Sequence, residues 1–229
     1  MCGRIAICEC AAVSVLLIDV YADIVCPWCF IGFRRLNAAV QSTGRAGDVA
    51  IRHRPFMIHS GAPPEGIELW TMLERKYRTD PQRLFERVEA AALESGIPLD
   101  LSKQRRTYST IAAHTLLRHA DQRGTQHALT DSLFTAYFLH AQNIGEPDVL
   151  TAIATRHGFS AEEVIRLVRD PNESALTRQE MNDAVRRGIR SVPVFLFNNR
   201  HILAGAQPET VLRRAIVHAI DDQRYVDHD

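Results

Sequence analysis

Near its N-terminus the chain carries an almost uninterrupted run of apolar residues at positions 13–21. Such a run predicts a strand that is covered on both faces of its sheet. From position 26 to 41, apolar residues recur every three or four positions, which is the spacing of an amphipathic helix. Residues 49–57 alternate between apolar and polar and indicate a second strand. These three segments together predict a βαβ unit.

Helical patterns fill the middle of the chain, from residue 68 to about residue 187, and almost nothing there is typical of strands. The predicted helices are 69–77, 81–95, 108–123, 126–142, 147–157, 161–168 and 172–187. Strand patterns return at 192–197 and 201–204, with Asn198-Asn199 as a hairpin turn between them. A last amphipathic helix is predicted to start at Pro208-Glu209.

This order of elements, β-α-β, then helices, then β-β-α, predicts an α/β protein with a thioredoxin fold that is interrupted by an all-helical insertion domain. We expect a discontinuous thioredoxin-like domain formed by residues 12–60 and 188–222. The helical insertion domain is predicted to cover residues 61–187. Residues 1–11 are expected to form an N-terminal tail, which contains Cys2, Cys8 and Cys10.

Composition and charge agree with an ordinary soluble globular protein, since 46% of the 229 residues are apolar and 24% are charged. The 27 basic residues balance the 27 acidic residues, so no overall basic field favours nucleic acid as a partner. The first residues contain one basic residue, Arg4, and Glu9 interrupts their apolar positions, unlike a secretory signal. We therefore predict a cytoplasmic protein without a membrane partner.

The chemistry of the chain is concentrated in Cys26-Pro27-Trp28-Cys29, at the predicted junction of strand and helix. A spacing of three residues in a first helical turn puts both thiols on one face, within reach of a reversible disulfide. The unpaired N–H groups of a helix start favour the thiolate of Cys26. Pro27 suits the first helical position. We therefore expect Cys26 to be the nucleophile and Cys29 the resolving thiol.

Two other interpretations of this pair remain open at this stage. A zinc site would need further ligands, and the candidates are Cys8, Cys10 or some of the ten histidines. Alternatively, both cysteines simply pack in the core. We favour the redox interpretation, because the pair lies between a strand and a helix, and we predict neither a metal nor a cofactor.

Several segments resemble one known family, the DsbA-like thiol:disulfide oxidoreductases, and within it the FrnE-like branch. The matching segments are Asp-Ile-Val-Cys-Pro-Trp-Cys-Phe-Ile-Gly at 23–32, Arg-Pro-Phe at 54–56, Ala-His at 113–114, Leu-Phe-Thr-Ala-Tyr-Phe at 133–138, Gly-Ile-Arg-Ser-Val-Pro-Val-Phe at 188–195 and Gly-Ala-Gln-Pro at 205–208. The resemblance implies a cis peptide bond before Pro193 and a substrate that pairs with the backbone of Val192. Ser191 and Ser109 depart from the family, which commonly has Gly and Asn there.

The resemblance also implies the substrates and partners, namely protein or small disulfides and an unidentified reducing or oxidising partner. In a reducing cytoplasm we expect reductase or isomerase activity, and a homodimer is a further hypothesis. Asp23 is either a proton relay for Cys29 or a solvated carboxylate, and His114 either lines the substrate cleft or is structural. The rivals are a glutathione-dependent isomerase or kappa-type glutathione transferase, which usually has serine as the nucleophile, and a zinc-stabilised chaperone or binding module.

Overall fold

The structure is a computed structural model and describes residues 15–226. The predicted tail, with Cys2, Cys8 and Cys10, lies outside the described residues. The strands are β1 (Leu16–Ala22), β2 (Val49–Pro55), β3 (Ile67–Glu68), β4 (Arg106–Thr107), β5 (Val194–Phe197) and β6 (His201–Ala204). The helices are α1 (Pro27–Ser42), α2 (Leu69–Tyr77), α3 (Pro81–Leu93), α4 (Ile111–Asp121), α5 (Gln126–Phe138), α6 (Pro147–Ala154), α7 (Ala161–Arg169), α8 (Pro171–Arg186) and α9 (Glu209–Val226).

The main sheet joins the two ends of the chain in the order β2-β1-β5-β6. Strand β1 is parallel to β2 and antiparallel to β5, with Val20 opposite both His53 and Phe195. The β5–β6 hairpin turns at Asn198 and Asn199, whose φ angles of 46° and 57° lie in the left-handed region that asparagine tolerates. The predicted α/β architecture is confirmed.

The segment that was predicted to be helical also contains one short strand pair, which the sequence analysis did not predict. Strands β3 and β4 are antiparallel, with Ile67 opposite Thr107. Gly66 precedes β3 with a φ of +78°, and a Cβ there would lie 2.6 Å from Cδ1 of Tyr108. Strands of two residues are too short for a period of two to be visible in the sequence.

The central strand is covered on both faces, as its apolar run predicts. Helices α1 and α9 contact each other and belong with β1 to the large core, while Tyr21, Ala184, Val194 and Leu196 form a smaller cluster. Within residues 15–226, no helix combines the length and the apolar character that crossing a membrane requires.

Aromatic stacking connects the active-site helix to the helical segment. The ring of Phe30 in α1 stacks on Phe134 and Phe138 of α5, with centroid distances of 5.2 and 5.5 Å. All three side chains are buried. The first turn of α1 is therefore held against α5, which fixes the position of α5 relative to the two cysteines.

Candidate active site

The two cysteines occupy the first turn of α1, as predicted. Cys26 is the N-cap, with an extended backbone at φ −92° and ψ 113°, and Pro27 follows at the first helical position. The N–H groups of Cys29 and Phe30 donate to the carbonyl oxygen of Cys26 at 3.0 and 3.2 Å. Pro27 lacks an N–H, so its place here leaves no donor unpaired. Both cysteines are free thiols.

The surroundings of the two thiols differ. Cys26 is 7% exposed and lines a cleft, whereas Cys29 is 1% exposed and points into the core. Burial raises the pKa of the Cys29 thiol well above its ordinary value, and the neighbouring Cys26 raises it further. Cys29 therefore stays protonated at neutral pH, and Cys26 is the thiol that a substrate can reach.

Asp23 lies behind the dithiol and is fully buried, so it is not a solvated carboxylate. Its Oδ2 accepts a hydrogen bond from the N–H of Ile58 at 2.7 Å, while its Oδ1 has no hydrogen-bond donor. His114 of α4 is 4% exposed and puts Nε2 3.5 Å from that Oδ1. The structure thus places His114 beside Asp23 and not among the residues that line the cleft.

The loop before β5 packs on α1 next to the cysteines. The peptide bond between Val192 and Pro193 is cis. A Cβ on Gly32 would lie 3.1 Å from Cγ of Pro193, so the missing side chain at Gly32 permits this close approach. The N–H of Gly205 donates to the carbonyl oxygen of Pro193 at 2.8 Å, which ties the loop to the end of β6. Val192 is half-buried.

In front of Cys26 lies a cleft of about 320 Å³ between the start of α1 and helices α2, α3 and α5. Cys26, Pro27 and Trp28 form one edge of it. Its other lining residues are Val25, Ile58, His59, Leu69, Met72, Leu73, Lys76, Tyr77, Leu84, Phe85, Arg87, Val88, Leu101, Gln104, Thr107, Tyr137 and Phe138. The sequence predicted the helices that supply part of this lining, at 69–77, 81–95 and 126–142, but gave no sign of which residues face the dithiol.

Two cations of this cleft, Lys76 and Arg87, were missed by the sequence reasoning. The guanidinium carbon of Arg87 lies 5.8 Å from the centroid of the Trp28 ring, between the two cysteines in sequence. The Pro-Trp pair itself carries no charge, so the charge near the dithiol comes from α3. A cation on an exposed helix face gives no sequence signal of its own, because most such residues are simply solvated.

Among residues 15–226, no three His, Cys, Asp or Glu side chains are grouped so that they could hold a metal ion. Cys8 and Cys10, which the zinc hypothesis would also use, are outside this range.

Comparison with known proteins gives a family and a fold. Residues 17–217 match the model of the DSBA-like thioredoxin domain. The uncharacterized protein YwbO of Bacillus subtilis is 24% identical over 203 residues, which cover 87% of this chain and 94% of that protein. The crystal structure of a probable DsbA oxidoreductase, SCO1869 of Streptomyces coelicolor, is 28% identical, covers 89% of each chain and has a TM-score of 0.80.

A more distant structure, a 2-hydroxychromene-2-carboxylate isomerase, is 14% identical with a TM-score of 0.70 and covers 92% of this chain and 98% of that one. At this identity the likeness extends to the fold alone. The family match is much stronger, since it takes in both cysteines, the loop at Pro193 and all the helices of the cleft. The chain belongs to the DSBA-like thioredoxin domain family and is a thiol:disulfide oxidoreductase.

Proposed function

We propose that this protein works as a reductase or isomerase of disulfides, with Cys26 as the nucleophile and Cys29 as the resolving thiol. The observation that carries the proposal is the unequal placing of the two sulfurs. Cys26 borders the cleft, and Cys29 is 1% exposed with a raised pKa. An accessible first thiol and a protonated second thiol are what an ordered two-step exchange requires.

In the reducing direction, the Cys26 thiolate attacks one sulfur of a substrate disulfide. The substrate S–S bond breaks, a bond to Cys26 forms, and the other substrate sulfur leaves as a thiolate. Cys29 then gives up its proton and attacks the Cys26 sulfur, which releases the second substrate thiolate and closes the Cys26–Cys29 disulfide. The dithiol has lost two electrons and the substrate has gained them. The reverse sequence oxidises a dithiol.

We propose that Asp23 accepts the proton that Cys29 gives up, and that His114 positions the Asp23 carboxyl group. Two features support this role: Asp23 is fully buried behind Cys29, and its Oδ1 has no donor. Nε2 of His114, 3.5 Å from that oxygen, also lacks a hydrogen-bond partner. A carboxyl group in such a site can exchange a proton without breaking an existing hydrogen bond of the oxygen concerned.

We further propose that an extended substrate segment pairs with the backbone of Val192, as in strand addition. The packing of the Pro193 loop on α1 supports this placement, because it brings Val192 near the N-terminal part of α1, where the dithiol lies. The reducing partner is unidentified. The FrnE-like branch, a cytoplasmic location and a homodimer stay predictions.

The glutathione-dependent isomerases are the nearest alternative, and Cys26 is the observation that argues against them. In those enzymes the resemblance leads us to expect a serine at this position, and a second cysteine has no use there. Here the second thiol is buried directly behind the first. A zinc-stabilised module is tested separately by metal analysis: about one tightly bound zinc per chain without dithiol turnover would contradict the proposed reaction.

The decisive experiment is the reduction of insulin disulfides by dithiothreitol, with the wild-type protein and with Cys26→Ser. We expect the wild type to accelerate the reaction and the variant to have almost no effect. Wild-type protein that adds nothing to the rate with dithiothreitol alone would overturn the proposal. Cys29→Ser is the matched variant, because it keeps the nucleophile. Incubated with insulin in the absence of dithiothreitol, it should accumulate mixed disulfides, which dithiothreitol added later reduces.

A further inference from the structure

The walls of the cleft in front of Cys26 are mostly apolar. Helix α2 contributes Leu69, Met72 and Leu73, and helix α3 contributes Leu84, Phe85 and Val88. Phe138 of α5 also borders the cleft. Its volume of about 320 Å³ is enough for one or two apolar side chains of a bound peptide. A side chain that enters it loses contact with water, which favours apolar groups.

Apart from the reactive Cys26, the charged groups that line this cleft are all of one sign. Lys76 and Arg87 are exposed cations. Burial lowers the pKa of His59, so this side chain is neutral at neutral pH, and burial raises the pKa of Tyr137, which keeps its phenol neutral as well. No Asp or Glu is among the lining residues of the described chain.

Lys76 and Arg87 are also free to bind a substrate anion. Within residues 15–226, neither has a carboxylate partner within 4.0 Å, although many other arginines of the chain do. Arg87 instead lies over Trp28, and Nζ of Lys76 lies 5.2 Å from the ring centroid of Tyr77. Aromatic faces hold a cation in place without neutralising it.

From this arrangement we propose that the cleft selects disulfide substrates in which the reacting cysteine has an apolar residue on one side and a carboxylate-bearing residue on the other. The apolar side chain enters between α2 and α3, and the carboxylate meets Lys76 and Arg87 at the edge. This inference rests on the proposed function, since it names the substrate class of the same site. The carboxylate is found both in acidic peptides and in oxidised glutathione, but the apolar side chain is missing from oxidised glutathione, so the proposed substrate is a peptide.

The test compares kcat/KM for short synthetic peptide disulfides that differ at one position. In the first pair, a leucine precedes the cysteine and either glutamate or lysine follows it. At low ionic strength we expect the glutamate peptide to be preferred about tenfold, since exposed charge pairs each contribute a few-fold. The preference should shrink at high salt, because these cations are solvent-exposed. Equal values for the two peptides would overturn the inference.

The double variant Lys76→Glu/Arg87→Glu should reverse this preference. Arg213→Glu/Arg214→Glu is the matched control, since both arginines are exposed on α9 and neither lines the cleft. It should keep the wild-type preference. A double variant that still prefers the glutamate peptide, or a control that loses the preference, contradicts the assignment. The ratio of two peptides on one variant is independent of how well that variant is folded overall.

Two further substrates separate the apolar part of the proposal from the anionic part. A peptide with serine in place of leucine, and oxidised glutathione, both keep a carboxylate and lack the apolar side chain. Both should be reduced about tenfold less efficiently than the leucine–glutamate peptide. Equal efficiency would overturn the apolar half of the inference.

Hydroxyethyl disulfide, which is neutral and small, distinguishes a failure of selectivity from a failure of the reaction. Turnover of hydroxyethyl disulfide without any preference among the peptides would overturn this inference alone. No turnover of any disulfide by the wild-type protein would overturn the proposed function as well.

Discussion

In front of Cys26, apolar side chains and two cations line a cleft, whereas a carboxyl group and an imidazole lie together behind Cys29 and are both buried. The front is built by α2, α3 and α5, and the back by the end of β1 and by α4. Two sulfurs in one helical turn thus face different media. The different environments of the two thiols thus follow from their neighbours and not from the tetrapeptide itself.

The largest expected effect is on thiol reactivity. In a background in which Cys2, Cys8 and Cys10 are replaced by serine, Cys26 of the Cys29→Ser variant should react with iodoacetamide at pH 7 at least about 100-fold faster than Cys29 of the Cys26→Ser variant. Burial raises the pKa of Cys29, and each pKa unit reduces the thiolate fraction about tenfold. Mass spectrometry of timed samples gives the two rates. Similar rates would contradict the proposed difference in accessibility and thiolate fraction between Cys26 and Cys29.

The next effect concerns the buried carboxyl group. Asp23→Asn keeps an acceptor for the N–H of Ile58 and removes an acid whose Oδ1 has no donor, so we expect it to raise the free energy of unfolding by about 1–3 kcal/mol. We also expect it to slow insulin reduction, because Cys29 loses its proton acceptor. Urea unfolding at pH 7.5 and the turnover assay measure the two changes.

Asp19→Asn is the control for this prediction. Asp19 is 6% exposed, and its carboxylate accepts hydrogen bonds from Arg52 at 2.6 and 2.9 Å and from Arg54 at 3.1 Å. Its replacement removes the negative charge that pairs with Arg52 and Arg54, so it should lower stability and leave the Cys29 step unchanged. A loss of stability in both variants would contradict the prediction, because it would show that the Asp23 carboxyl group is stabilised by its surroundings as the Asp19 carboxylate is.

The smallest expected effect concerns two buried histidines that pack against α1 one turn beyond the dithiol. His53 and His127 lie 3.0 Å apart between Nε2 and Nδ1, against the ring of Phe33. Burial lowers the pKa of both imidazoles, that of His53 well below 6.5. Below about pH 6.5 the unfolded chain therefore takes up protons that the folded protein does not, and stability falls as the pH falls.

We expect a loss of up to about 1.4 kcal/mol per pH unit for each of these two histidines. The measurement is the free energy of urea unfolding between pH 7.5 and pH 5.5. His53→Gln should make this dependence shallower by the contribution of one histidine. An unchanged slope in that variant would mean that His53 is not the group that resists protonation.

Much of the fold could be predicted from local pattern. The apolar run at β1, the period of α1 and the hairpin at Asn198-Asn199 each fixed an element within a few residues. Boundaries were less accurate, as with the helix predicted at 126–142, which ends at Phe138. The β3–β4 pair was missed because each strand is only two residues long. Such strands are defined by their pairing and show no alternation of apolar and polar residues in the sequence.

The sequence by itself determined the dithiol, its place at the start of a helix and the order of the elements, because these depend on neighbours within one or two turns. Only the tertiary structure decided what surrounds Cys26 and Cys29. Arg87 is 61 residues from Cys26 and His114 is 91 residues from Asp23 along the chain, and packing of α3 and α4 brings them near. Burial and charge at a site depend on such distant contacts, so the environment of the two thiols could not be read from the tetrapeptide.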